Sequence, residues 1–210
     1  MRSGSESIAE LLVRNIPRDL VLAVEDAFQA GAQRAYAASR DSDAGHRRNV
    51  LGQLRHFYMN ELFHSALEVA GASPSQLRGN EVVAGAVGAV RLGRFNVPQG
   101  IWNTASRASS RRIMALANKA VEALVQADFF VPRIVNINCT AFFAAVFDHV
   151  QPELPISIQI AVPDSQMKGW LFRESTTDFL ARYEQASSQA DKAIPKLKVI
   201  KKAEDDPGQK

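Results

Sequence analysis

The sequence predicts an α+β protein in which an N-terminal antiparallel helix pair precedes a small antiparallel sheet with packed helices and a disordered C-terminal tail. Three observations predict it. In the first third of the chain, apolar residues recur at helical spacing. From Glu81 the pattern shifts to β-branched residues broken by glycines. Beyond Ala186 it turns to Ser, Lys, Asp and Pro and ends in KKAEDDPGQK. With 210 residues, 46% of them hydrophobic and 22% charged, the chain is long enough to bury about 70% of its unfolded surface. The expected division is a helical lobe over 1–78, an α+β core over 79–185 and a tail over 186–210, with the first boundary at the composition shift GASPSQLRGN.

Each element has its own signal. After a short apolar segment, IAELLVRNI, Pro17 opens a helix because its fixed φ suits a first turn; Leu20, Val21, Val24, Ala27, Phe28 and Ala35 form the apolar side. The turn formers of SRDSDAGH end it. A second long helix places Leu51, Leu54, Phe57, Tyr58, Leu62 and Leu67 together and stops through Gly71 and Pro74. A short loop makes the two helices antiparallel neighbours. EVVAGAVGAVRLGRFNV reads as a hairpin turning at Gly88. Val90 and Leu92 lie on one parity and Phe95 and Val97 on the other, so a bulge at Gly93 is expected, leaving Arg91 and Arg94 on the exposed face. From Asn103, NTASRASSRRIMALANK returns to helical spacing, with Ile113, Leu116, Ala117, Ala120 and Leu124 as the buried stripe. VNINCTAFFAAVF and PISIQIAV read as strands, the second turning Ile156, Ile158, Ile160 and Val162 inward. Ser175 with Asp178 marks the start of a last helix, TTDFLARYEQ.

Composition narrows the function. The single cysteine, Cys139, has no partner for an internal disulfide or a thiolate zinc site, and a small buried hydrophobe in a cytoplasmic protein is the expected reading. MRSGSESIAELL lacks the basic start and apolar run of an export signal. FFVPRIVNINCTAFFAAVF is interrupted by Pro132, Arg133, Asn136 and Asn138, so no membrane span is expected. No Gly-rich phosphate loop, cofactor motif or internal repeat is present, and neither a cofactor nor a metal is expected.

The net charge of +3 is uninformative, but its distribution is not. Residues 81–126 hold six Lys and Arg against two Asp and Glu, whereas residues 127–184 hold four against seven. Arg107, Arg111 and Arg112 crowd the start of the helix expected from Asn103, where acids are ordinarily favoured because the backbone N–H groups there carry partial positive charge. Thr104, Ser106, Ser109 and Ser110 add hydroxyls. Such a group suits a phosphate. With Arg91 and Arg94 alongside and Trp102 near enough to stack on a base, the expectation is a nucleic-acid-associated factor. Its binding residues are Arg91, Arg94, Trp102, Thr104, Arg107, Ser110, Arg111 and Arg112. The bland alternative is pairing of these arginines with acids elsewhere in the fold.

Three further readings compete. Gln53, His56, Asn60, Glu61 and His64 fall near one line of the second long helix, and Glu61 with His64 has the Glu-x-x-His spacing of di-metal bundles, although no second such pair exists. Pro163, Asp164 and Lys168 after a strand faintly match a metal-dependent nuclease core that lacks its second carboxylate. A non-catalytic subunit that binds a protein partner or self-associates suits the long amphipathic helices. The segment KLKVIKK is a candidate basic arm or a merely solubilising stretch.

Overall fold

The computed structural model describes residues 4–125 and 138–192. Helices α1 (Gly4–Asn15), α2 (Arg18–Ser39) and α3 (Ala44–Val69) come first. Strands β1 (Ala84–Val87) and β2 (Val90–Pro98) form the hairpin, and a 3-10 turn (Trp102–Arg107) leads to short helices α4 (Ser109–Ala115) and α5 (Lys119–Val125). Strands β3 (Cys139–Phe147), β4 (Ser157–Pro163) and β5 (Trp170–Ser175) complete the sheet, and α6 (Thr176–Lys192) follows. The fold is α+β, with spatial strand order equal to chain order.

Local chemistry explains the helix pair. Pro17 precedes α2 in extended backbone, and Asp43 caps α3 by accepting from the Gly45 N–H at 2.8 Å. The two helices approach so closely that a Cβ on Gly31 would lie 2.9 Å from Met59 Cγ and 3.0 Å from its Cα. Only glycine permits that crossing. At the hairpin, Gly88 has φ +55°, and Asn15 Oδ1 accepts from the Ala89 N–H at 2.9 Å, which docks the turn on the end of α1.

Three pairings in the sheet are antiparallel, but β2 and β3 run parallel, so the sheet is mixed. The helical segment after β2 carries the chain back to the same end of the sheet, and such a crossover is what a parallel pair requires. One face packs against α1, α2, α3 and α6 through Ile8, Val24, Phe28, Phe63, Phe143, Ile160 and Phe179. This core spans both sides of the boundary read near residue 78. On the other face a smaller cluster of Phe95, Val97, Phe142 and Ala144 packs under Met114 and Ala115.

The second cluster removes the need for a bulge at Gly93. Pairing runs in unbroken register from Ala84↔Gly93 to Val87↔Val90, and from Val90↔Cys139 to Pro98↔Phe147. Both parities of β2 are apolar because both faces have a core to enter. The helix expected from Asn103 is also broken, since Ala108 is extended at ψ 126°. The interruption resets the helical phase: Met114, Ala115, Asn118 and Val121 are buried, whereas Ile113 and Leu116 are 66% and 63% exposed and Ala117 is exposed with them. Phe57 and Ile156, expected inside, are also exposed. Strand β5, WLFRES, has no clean alternation and carries no readable strand signal. Helix α6 continues past the expected boundary at 186; residues 193–210, including KLKVIKK, and the start of VNINCTAFF lie outside the described residues.

Two polar devices tie the layers. Arg182 donates to Glu174 through Nε at 2.7 Å and NH2 at 3.0 Å and to Glu6 at 2.9 Å, joining α6, β5 and α1. Asn118, fully buried, donates through Nδ2 to Thr140 O at 3.0 Å and Pro163 O at 2.8 Å and accepts from the Thr140 N–H at 2.6 Å. It supplies the backbone partners that the ends of β3 and β4 would otherwise lack. Asn118→Leu keeps the branched shape but strands these groups in the core, and a cost of about 3 kcal/mol or more in urea unfolding is expected.

Candidate anion-binding cleft

The expected basic surface is rearranged by the fold. Strict alternation places Arg91 and Arg94 on opposite faces of β2; Arg91 is exposed, while Arg94 is 3% exposed and enters the helical layer. Arg111 and Arg112 fold back onto the backbone. Arg111 donates from Nε to Ala105 O at 2.7 Å and from NH2 to Thr104 O at 3.4 Å. Arg112 NH1 donates to Ser106 O at 2.9 Å and Arg107 O at 3.3 Å. They therefore cover the carbonyl end of the preceding 3-10 turn, where cations are favoured, rather than sitting unpaired at a helix start. Thr104 and Ser106 spend their hydroxyls on Ile101 O and Asn103 O. Trp102 packs edge-on against Trp170 and Phe95, with the Arg173 guanidinium 4.7 Å from its ring centre. Arg107, Ser110 and Arg112 stay exposed.

The polar line on α3 separates into unrelated pieces. Glu61 pairs with Arg34 at 3.0 Å, His64 with Glu68 at 3.4 Å, and Gln53 faces solvent. No group of three or more His, Cys, Asp or Glu suited to a metal occurs among the described residues. Asp164, the residue of the nuclease reading, accepts from the N–H groups of Gln166, Lys168 and Gly169 at 2.9, 3.0 and 2.6 Å. Its carboxylate organises a turn and is fully engaged.

His56 and Asn60 form a different arrangement. Asn60 donates to His56 Nε2 at 3.2 Å and to Glu81 O at 3.2 Å, and its Oδ1 accepts from Arg94 NH1 at 3.1 Å. Arg94 also donates to His56 O at 3.3 Å and, through NH2, to Asn96 Oδ1 at 2.9 Å, while its Nε has no partner. Burial, with Arg111 adding repulsion, pushes this guanidinium down to about 9, so it still carries its charge at neutral pH. Its partners are neutral dipoles and the ring of Phe28.

Asn96 opens this network onto a cleft of about 710 Å³ beside the first half of α3 and the carboxyl ends of the parallel strands β2 and β3. In open sheets the carboxyl ends of parallel strands are where ligands collect, because the chain leaves in loops there. Arg47, Arg48 and Arg55 line the cleft with Tyr36, Gly52, Phe147 and His149; Asp148 is the one acid. Asp148 Oδ1 accepts from the Val150 N–H at 3.1 Å and lies 3.0 Å from His149 Nδ1. Arg55 lays its guanidinium 3.9 Å from the centre of the Phe147 ring and donates through NH2 to Pro152 O; its Nε is buried without a partner, and burial lowers it to about 10. The ion pairs of arginine among the described residues use Arg34 and Arg182, and none reaches Arg48, Arg55 or Arg94.

Sequence reading took from AGHRRNVLGQLRHF its apolar side and the polar residues Gln53 and His56 but passed over Arg47, Arg48, Gly52 and Arg55, although the signal was there. The first turn of α3 contains no acid, and Arg48, Gly52 and Arg55 repeat at intervals of four and three, which places them on one helix face. Neither protein-family models nor curated proteins match this sequence, and no solved structure matches the fold.

The His56 ring is held below the usual histidine range by burial first, then by Arg94 and Arg111. As pH falls through about 6.5, the unfolded chain takes up a proton that the folded chain resists, so this contribution to stability is complete above that pH and is lost below it. The expected outcome is a Tm that drops between about pH 7.5 and pH 5.5, with a shallower drop in His56→Gln.

Proposed function

We propose that this protein is a cytoplasmic, nucleic-acid-associated factor that grips phosphate through the cleft of Arg47, Arg48 and Arg55. The observation that carries the reading is an imbalance of charge: three arginines line one concavity with a single acid that is already engaged. Behind them stands the buried Arg94, unmatched by any carboxylate among the described residues. Buried cations are ordinarily paired, since removal from water without a counter-charge costs several kcal/mol. A phosphate in the cleft supplies the missing anion. The exposed Arg91, Arg107 and Arg112 remain auxiliary contacts for a longer strand. Burial pushes the Cys139 thiol up to about 12, which makes it unreactive and suits a reducing compartment. No helix among the described residues is long and apolar enough to cross a membrane.

Titration of labelled DNA and RNA, followed by fluorescence anisotropy at about 50 and 200 mM salt, tests this. Affinity is expected to fall steeply with salt, and Arg48→Ala to reduce the slope of log K against log salt by about 0.7–0.9. Absence of binding at low salt, or binding indifferent to Arg48, refutes it.

A second reading, self-association, has one observation in its favour: Ile113 and Leu116 are large, apolar, three residues apart and mostly exposed. Light scattering decides it. A dimer that Ile113→Glu with Leu116→Glu converts to monomer is the expected result.

A further inference from the structure

We infer that the cleft seats a single nucleotide through its phosphomonoester, with the phosphate lying over Gly52 between Arg48 and Arg55. The proposal rests on the phosphate-binding reading above and narrows it from a continuous backbone to a terminal or free nucleotide.

Gly52 is the first reason. A glycine inside a helix weakens it by about 1 kcal/mol relative to alanine and is usually explained by close packing. Gly31 on α2 has that explanation in Met59; Gly52 has none, since a Cβ there would meet nothing within 4 Å. What Gly52 does is leave the helix surface bare inside the cleft. Arg48 stands four residues before it and Arg55 three after, about 10 Å apart along the axis, so an anion that approaches the bare surface is flanked by both guanidinium groups.

Size and charge are the second. A volume of about 710 Å³ falls in the range that encloses one drug-sized molecule, which is the scale of one nucleotide and far below that of a duplex. A phosphomonoester carries a charge of about −1.5 to −2 at neutral pH, against −1 for each phosphodiester within a strand, and so answers more of the cationic surplus. Tyr36, with the Arg40 guanidinium 5.8 Å from its ring centre, lines the same cleft and is the aromatic surface on which a base would stack. Arg94 reaches the same cleft through its hydrogen bond to Asn96, and its buried charge favours an anion there.

Short single strands bearing a 5′-phosphate, a 3′-phosphate or only hydroxyl ends are titrated by anisotropy, with a circular strand, mononucleotides and inorganic phosphate as competitors. One phosphorylated end is expected to bind about tenfold or more tighter than its hydroxyl twin, and the circle to compete weakly. Mononucleotides that match the phosphorylated strand assign the site to free nucleotide; weaker competition assigns it to a strand end. Gly52→Ala is expected to raise Tm by a few degrees. Gly52→Leu, which has open space to occupy, is expected to keep the fold and lose about tenfold or more in affinity. Arg48→Ala, at an exposed position, gives the same loss by a route independent of shape.

Equal affinity for phosphorylated and hydroxyl ends overturns the inference while the broader nucleic-acid reading survives. So does binding that Gly52→Leu leaves unchanged. Inorganic phosphate competing as well as a mononucleotide removes the base from the site. Mononucleotide binding without strand binding upholds the inference and defeats the nucleic-acid reading; if neither binds, both fail.

Discussion

Strand β2 is covered on both faces, and the placement of charge around it follows from that constraint. Side chains of a strand alternate between faces, so a residue cannot choose its surroundings once its neighbours have chosen theirs. Leu92 enters the helical core and Phe95 the smaller one beneath Met114. Arg94, on the parity of Leu92, must follow it inward. The protein meets the resulting buried cation with the Asn60 and Asn96 amide oxygens, the His56 carbonyl and the Phe28 ring. Dipoles soften the desolvation of a charge without cancelling it. Gly93 obeys the same constraint, because a Cβ there would lie 2.9 Å from the Phe142 ring and 3.0 Å from Met114 Cε.

The parallel pairing of β2 with β3 determines where this unspent charge can be felt. Because the two strands end together at Pro98 and Phe147, their carboxyl ends open beside the first half of α3, and the connection from β3 to β4 adds Asp148, His149 and Pro152 to the rim. The Phe147 ring then becomes a platform for Arg55, and Asn96 becomes the link from Arg94 to the surface.

Arginines at the two short connections show the opposite solution. Arg111 and Arg112 fold back onto carbonyls of the preceding 3-10 turn, and Arg47 donates at 3.3 Å to Arg40 O and Ser42 O at the end of α2. Each cation finds the negative end of the backbone segment before it. Arg48 makes no such hydrogen bond among the described residues, so its donors are free, whereas Arg47 brings to the cleft its charge and the donors these two carbonyls leave over.

The sequence by itself determined the helix pair, the hairpin turn at Gly88, the strand with Ile158, Ile160 and Val162 inward, and the Ser175–Asp178 start of the last helix. Those elements follow from spacing and from local backbone preference, which need no knowledge of neighbours. It also located an excess of arginine and a polar edge containing His56 and Asn60. Only the tertiary structure decided which face each arginine occupies, because that depends on a second core under β2 that periodicity in one strand cannot reveal. The break at Ala108 and the strand character of WLFRES were illegible for the same reason, and the spacing of Arg48, Gly52 and Arg55, although readable as one helix face, did not tell that a cleft opens beside it. Each arises from what packs across from the residue, and a linear pattern records only what lies beside it.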